Sequence, residues 1–357
     1  QHRADLPLRR ELKAQRAEYA DGKPGPVVSV VVPLYNTPEK FFGQMLASVQ
    51  KQTYPHWQLV LVDASDADHT DVAHTVQTRA ASDPRIVYRK IENKGIAANT
   101  NEAAKLATGS YLALADHDDM LAPHAVYCMS KALAESGAAF AYSDEALFEK
   151  TPEHPRVGHF KPDYAPEYLM AVNYICHLAV FKKSLFDAVG GERPACDGAQ
   201  DHDLILRLTE KATKIHHIKK SLYVWRAAAG STAQTMDAKP YAIAAGARAI
   251  NAHLQRVGLQ GEAHAIPGAP GAFQLHYELT GHPLITVMIP NKDHTDDLDR
   301  CLTSLYKNAG YDNFEVIVIE NNSTDPATFA YYETLANRFA DCRVVYYKGA
   351  FNFSAIN

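Results

Sequence analysis

Residues 27–50 read VVSVVVPLYNTPEKFFGQMLASVQ, an apolar run that passes through a short polar turn into a helical pattern. VVSVVVPLY (27–35) reads as a strand, and Thr37 offers a cap oxygen to the helix behind it. Pro38 suits the first helical turn, and Phe41, Met45, Leu46 and Val49 fall on one helical face. The same unit recurs downstream. WQLVLVDAS (57–65) is a second strand and RIVYRKI (85–91) a third, followed by NKG and a helix expected to stop at Gly109. YLALA (111–115) is a fourth. Strand, turn and amphipathic helix in alternation predict an α/β domain with a largely parallel sheet.

The chain is long enough for two such domains. It has 357 residues, 46% hydrophobic and 22% charged, so each part can bury a core. Net charge is −5 with no long basic block, which gives nucleic acid no footprint. The segment RRELKAQRAEY (9–19) could form a locally basic helix, so peripheral association with a membrane surface stays open beside a plain solvated helix. Cys128, Cys176, Cys196, Cys301 and Cys342 form no C-x-x-C pair, the usage of reduced thiols in a cytoplasmic setting. No stretch has the roughly 18 apolar residues of a membrane span. The first residue is Gln1, so a piece of a longer protein is expected.

An internal repeat organises the rest. ITVMIPNKD (285–293) echoes SVVVPLYNT (29–37), and LTSLYKNAGYDNFEVIVIENNS (302–323) echoes LASVQKQTYPHWQLVLVDAS (46–65). CRVVYYKGAFNFSAIN (342–357) echoes PRIVYRKIENKGIAANTN (84–101). The expected organisation is a helical lead-in over 1–26, a first domain over 27–264, a linker with a short strand over 265–283, and the first half of a second copy over 284–357. In that second copy IENNS is expected to lack the strand-end Asp of the first.

Chemistry gathers at strand ends, where ligands sit in open α/β sheets. Asp63 ends the second strand, and Asp116, Asp118 and Asp119 follow the fourth in LALADHDDM (112–120). Crowded carboxylates raise each other's pKa unless a cation neutralises them, and oxygen ligands of this kind suit Mg²⁺ or Mn²⁺ bridged to a phosphate. Helix capping by surface acids is the structural alternative. No Walker loop or G-x-G-x-x-G follows the first strand, which argues against a P-loop kinase or a dinucleotide dehydrogenase.

PLYN (33–36), Asp63, NKGIAANTN (93–101), ADHDD (115–119), GAQDHDLILR (198–207) and VWRAAAGST (224–232) together resemble the inverting family 2 glycosyltransferases with a GT-A fold. The resemblance covers about residues 27 to 250 and is greatest to bacterial surface-polysaccharide enzymes with tandem glycosyltransferase domains. It implies a Rossmann-like sheet that binds a nucleoside diphosphate sugar, of UDP or dTDP type. Pro33, Tyr35 and Asp63 would cradle base and ribose, and Asn93, Gly95 and Asn101 would shape the pocket wall. Asp116 and Asp118 would form the D-x-D pair, with Asp118 on Mn²⁺ or Mg²⁺ and Asp116 nearer the ribose or donor sugar. Asp201 would be the general base for an acceptor hydroxyl, and Asp203 a helix-dipole acid. Trp225, Arg226, Ser231 and Thr232 would fold over the diphosphate. Strand ending, helix polarity and capping remain as structural roles for Pro33, Asn101, Asp63 and Asp201.

One departure stands out: relatives often carry R-x-H in the late loop, where this chain has Ala228. His216 and His217 fall on an expected strand and read as structural. Tyr164, Tyr168, Asn173, Tyr174 and His177 could meet an acceptor, a glycan or lipid-linked glycan, or could pack in the core. The expectation is a metal-dependent inverting transferase for a cell-envelope polysaccharide such as O-antigen or capsule, acting in the cytoplasm or at the inner membrane face. Two alternatives stay open: a catalytically inactive sugar- or nucleotide-binding module, and a sugar nucleotidyltransferase.

Overall fold

The computed structural model describes residues 7, 9–148, 157–226 and 240–356. In the apolar run, Val28–Leu34 forms β1, and its side chains alternate between two cores. Val30 and Val32 pack on one face of the sheet and Val31 on the other. β2 (Trp57–Asp63) does the same, with Leu59 and Leu61 opposed to Val60 and Val62. A strand covered on both faces has no polar side, which is why these strands read as unbroken apolar runs. Phe42, Met45, Leu46 and Val49 of the helix Glu39–Gln50 cover the first face, and Ala103 and Ala104 of the helix Ile96–Leu106 belong to the second.

Two helix boundaries differ from expectation. Pro38 is the N-cap of Glu39–Gln50, one position early: its ring-fixed φ of −59° would suit a helix, but its ψ of 133° lies outside one. Thr37 Oγ1 caps nothing and is buried without a hydrogen-bond partner among the described residues. The helix Ile96–Leu106 stops at Leu106, not at Gly109. Gly109 serves close packing instead: a Cβ there would stand 2.6 Å from the Val27 carbonyl and 2.7 Å from Ser29 Oγ.

β3 (Ile86–Lys90) and β4 (Tyr111–Leu114) complete a parallel quartet with β1 and β2. The sheet continues through β5 (Met120–Leu121), β6 (Phe140–Phe148), β7 (Val157–His159), β8 (Ala179–Lys182) and β9 (Ile215–Arg226) in the order β3-β2-β1-β4-β8-β6-β9-β5, with β7 on β6. β6 and β9 run parallel to each other, and β8 runs antiparallel to its neighbours β4 and β6. The architecture is therefore the expected α/β, mostly parallel sheet. A register irregularity on either side of Asp144 lets consecutive residues Asp144 and Glu145 both turn into the protein. β10 (Gly261–Ala265) and β11 (Phe273–Tyr277) form a hairpin, and this first unit runs to Glu278.

The second unit begins at Leu279. β12 (Ile285–Asn291), β13 (Phe314–Glu320) and β14 (Cys342–Tyr346) pair in parallel around a core of Leu298, Leu302, Val316, Val318 and Leu335. Its register repeats the first unit: Pro290 lies opposite Ile319 as Pro33 lies opposite Val62, and Asn291 opposite Glu320 as Leu34 opposite Asp63. Asn36 and Asp293, at the same place after their strands, both adopt positive φ, which Asn and Asp tolerate better than other side-chain-bearing residues. IENNS lacks the strand-end Asp, as expected, but the position keeps a carboxylate. Glu320 holds the position of Asp63, buried, and accepts from Tyr332 Oη at 2.8 Å and Ser323 Oγ at 2.5 Å. One added methylene hid the correspondence from a search for Asp.

Candidate active site at the strand ends

The three acids after β4 take three different roles. Asp119 is buried, accepting from Tyr223 Oη at 2.8 Å and from the Arg226 N–H at 2.7 Å. The same Tyr223 oxygen accepts from the Asp116 N–H at 3.1 Å, so one phenol ties both ends of the acidic turn to β9. Asp116 Oδ2 lies 3.2 Å from His177 Nε2, and the His177 ring stacks on Tyr223 with centroids 4.7 Å apart. Burial opposes charge at Asp116, but the adjacent imidazole outweighs it and holds the carboxyl below its usual range. At His177 burial opposes protonation; Cys176 and Asp116 overcome it and raise the imidazole well above its ordinary value. Burial raises Asp118, with Asp116 adding to it against the pull of His117.

Asp63, at the end of β2, is fully buried and engaged within the protein. It accepts from the Ser65 N–H at 2.9 Å and Tyr88 Oη at 2.7 Å, and Lys90 Nζ lies 3.3 Å away. Burial alone would raise its pKa; these donors bring it below the usual carboxylate range. Tyr35 is exposed beside it, donating to Asp66 Oδ2 at 3.0 Å, an oxygen that Asn36 Nδ2 also reaches at 2.8 Å. Pro33 is the penultimate residue of β1, opposite Val62.

Asn93, Gly95 and Asn101 build the next wall by local bonding. Asn93 Oδ1 accepts from the Gly95 N–H and Asn99 Nδ2, both at 3.0 Å. Gly95 has φ of +93°, and a Cβ on it would meet Asp197 Oδ2 at 2.5 Å. Asp197 in turn accepts from the Ala97 N–H at 3.2 Å at the start of the helix. Asn101 grips the main chain of Glu192 from both sides, donating to its carbonyl and accepting from its N–H at 2.8 Å each. Glu192 is buried with Oε2 unpartnered among the described residues, and burial, followed by the charge of Asp201, pushes its carboxyl well up.

Asp201 sits in the first turn of the helix Gln200–Lys211. Its Oδ2 accepts from Asn173 Nδ2 at 2.9 Å and faces Cys176 Sγ at 3.5 Å. Asp203 is a first-turn acid of the same helix, as expected, and more than that. It is fully buried, held by Arg193 Nε at 3.0 Å and Arg207 Nη2 at 2.6 Å, so it fastens the helix rather than merely facing its dipole. Arg226 is likewise engaged: Nε donates to the Asp118 carbonyl at 2.7 Å, Nη2 to Gln44 Oε1 at 2.7 Å, and its guanidinium lies against Phe41 and Phe148. Trp225 packs against the first core. Ser231, Thr232 and Ala228 lie outside the described residues.

The family model for glycosyl transferase family 2 matches residues 29–190 and 286–356. The chain belongs to this family. An O-antigen biosynthesis protein, RfbC, of Myxococcus xanthus is 35% identical over 93% of this chain and 26% of its own length. An uncharacterised protein, y4gI, of Sinorhizobium fredii is 37% identical over 93% of this chain and 37% of its own. The chain thus spans only about a third of these relatives. Among solved structures, S. aureus TarS 1–349 in complex with UDP-GlcNAc superposes with a TM-score of 0.51 at 17% identity, covering 64% of this chain and 66% of that one. That likeness supports the GT-A fold alone.

Within this family 2 domain the ends of strands on either side of β1 carry Asp63 and the turn with Asp116 and Asp118, and the loop 173–177 links that turn to Asp201 on its helix, while Tyr164 and Tyr174 of the expected acceptor stretch are core-associated. Tyr174 is fully buried, its hydroxyl accepting from the Ala165 N–H at 3.0 Å; Tyr168 is exposed and stacks on it at 5.0 Å. His217 is structural as expected, bonded to Asp144 at 2.8 Å and Asp163 at 3.1 Å. Tyr223, Cys176, Glu192 and the Asp116 partnership of His177 escaped the sequence reading. Asp116 and Asp118 suit a hard cation that takes one or two protein carboxylates and completes its shell with phosphate oxygen and water. Among the described residues no group of three or more His, Cys, Asp or Glu converges as a ready metal cage. No described helix is long and apolar enough to cross a membrane.

Proposed function

We propose that the first unit is a metal-dependent inverting glycosyltransferase, moving a sugar from a UDP or dTDP sugar to a glycan or lipid-linked glycan in bacterial cell-surface polysaccharide synthesis. The observation that carries this is the loop 173–177, which touches the acidic turn through His177 and the candidate base through Asn173 and Cys176. Donor-side and acceptor-side acids are thereby held by one short piece of chain. The name of the Myxococcus relative supports the polysaccharide setting.

In this mechanism the acceptor hydroxyl gives its proton to Asp201 as its oxygen bonds to the anomeric carbon. The bond from that carbon to the diphosphate oxygen breaks on the opposite face, which inverts the centre. Asp201 Oδ2 already takes the Asn173 amide and the Cys176 thiol, so Oδ1 receives the proton. Asp118 and Asp116 would hold Mn²⁺ or Mg²⁺, which when bound supplies Lewis-acid stabilisation of charge on the leaving diphosphate. Tyr35 and Asp63 line the nucleoside end, Asp63 through the loop that it fixes at Ser65. Asn93, Gly95 and Asn101 shape the wall, and Trp225 and Arg226, at the end of the strand beside the acidic turn, take the phosphate side. The setting is the cytoplasm, with peripheral contact at the inner membrane face left open by the basic helix Arg9–Glu18. Catalysis is assigned to the expected 27–264, within the first unit.

Nucleotide release from UDP-, dTDP- and GDP-sugars with and without Mn²⁺ or Mg²⁺ tests this reading. Metal-dependent turnover of one donor, lost in Asp118→Ala, is the expected result. No release and no nucleotide binding across the panel would leave a binding module in its place.

A further inference from the structure

Lys161 lies outside every motif above, yet its side chain is fully buried. Its ammonium meets Glu145 Oε2 at 3.2 Å and donates to the carbonyl of Ile175 at 2.7 Å and to that of His177. Those two carbonyls flank Cys176, a non-glycine residue at φ of +33°, a conformation that persists only where the surroundings enforce it. Lys161 is anchored to β6 through both backbone and side chain. Its backbone N–H donates to Asp144 Oδ1 at 2.9 Å, and the ammonium's partner Glu145 is also held by His159 Nδ1 at 2.9 Å. A buried ammonium is retained only when it is paired and hydrogen-bonded, and here two of its acceptors are backbone oxygens of a strained loop.

That loop carries the contacts on which both acids depend: Asn173 and Cys176 on Asp201, and His177 on Asp116. We propose that Lys161 is a positioning residue for glycosyl transfer, its ammonium holding the 173–177 loop in the conformation that sets Asp201 and Asp116 for reaction together. The catalytic consequence rests on the assignment of Asp201 as base; the hold on the loop does not. Lys161 touches no substrate in this account and acts through Asn173, Cys176 and His177. Removing the cation frees the strain at Cys176, and Asp201 loses its fixed orientation while the nucleoside end of the site stays as it was.

The test uses the full chain carrying Lys161→Met, and a second variant, Lys161→Met with Glu145→Gln, which removes the ion pair as a unit and leaves no orphaned carboxylate. Labelling by N-ethylmaleimide is mapped at Cys176, with buried Cys196 as the control for general loosening. In variants with native circular dichroism, Cys176 labels about tenfold faster and Cys196 at the wild-type rate, the sign of a local opening. In parallel, release of nucleotide from UDP-glucose, dTDP-glucose and GDP-mannose is followed; kcat for the donor used falls about tenfold with its KM unchanged. Unchanged Cys176 labelling in the folded double variant overturns the proposal, as does Cys196 rising in step with Cys176. If the wild-type chain turns over none of these donors, the function reading fails, and the labelling alone still decides whether Lys161 holds the loop.

Discussion

Asn173 Nδ2 lies 2.9 Å from Asp201 Oδ2, on the oxygen that Cys176 Sγ also approaches, so one face of this carboxylate is committed before any substrate arrives. A hydrogen bond to a charged group contributes about 1.5–3 kcal/mol, which corresponds to roughly ten- to a hundredfold in rate if it is lost from the reacting geometry. Asn173→Ala is therefore expected to lower kcat for transfer by that factor and to leave donor KM within about twofold. Steady-state kinetics with the donor held at several concentrations separates the two.

Tyr223→Phe deletes the hydroxyl that joins the Asp116 N–H to Asp119 Oδ2. A buried acceptor then loses its partner at a cost of about 1–3 kcal/mol. The expected outcome is a lower melting temperature together with weaker metal-dependent donor binding, because the turn bearing Asp116 and Asp118 loosens. Calorimetric melting and nucleotide titration, each with and without Mn²⁺, check it.

Much of this was legible before the structure. β1 to β4 were, because a strand buried on both faces must be apolar at every position, and that pattern survives in one dimension. Tyr223 was not, because its partners Asp116 and Asp119 lie more than a hundred residues away in the chain. Lys161 escaped although Glu145, Ile175 and His177 lie within 16 residues of it, because no local pattern shows the chain folding them onto one ammonium; His177 was named as an acceptor contact, but its pairing with Asp116 was not. Asp203 was read as a first-turn helix acid, which it is; its ion pair with Arg207, four residues on at a spacing that suits one, was not read, and its complete burial depended on Arg193 arriving from outside the helix. Thr37 was read as a cap by residue type, and the backbone placed Pro38 there instead.

Gly109→Ala probes the contact between β1 and the turn before β4. The added methyl would lie within 3 Å of the Val27 carbonyl and of Ser29 Oγ and N. Overpacking against backbone costs about 1–3 kcal/mol. A lower denaturation midpoint with an unchanged slope is the expected signature in urea titration.

Glu210 gives a pH dependence away from the site. Burial opposes its charge, but His253 Nδ1 at 2.6 Å and Arg256 overcome it and hold the carboxyl at about 2, below its ordinary 4.5. A depressed folded pKa means stabilisation that is complete above the unfolded value and is lost as pH falls from about 4.5 through about 2. The stability difference between the wild-type chain and Glu210→Gln should be largest near neutrality and shrink across that window. Melting temperatures of both proteins, measured from pH 6 downward to about pH 2, give the result.

Asp201→Asn tests the central claim most directly, because it keeps the side chain's shape and removes the base. With the donor identified by the panel and an acceptor glycan present, transfer and acceptor-independent nucleotide release are measured side by side in both proteins. The account predicts that transfer falls by about 10²–10⁴-fold, the usual contribution of a general base, while donor affinity and the fold are retained. Transfer by Asp201→Asn at the wild-type rate would contradict it.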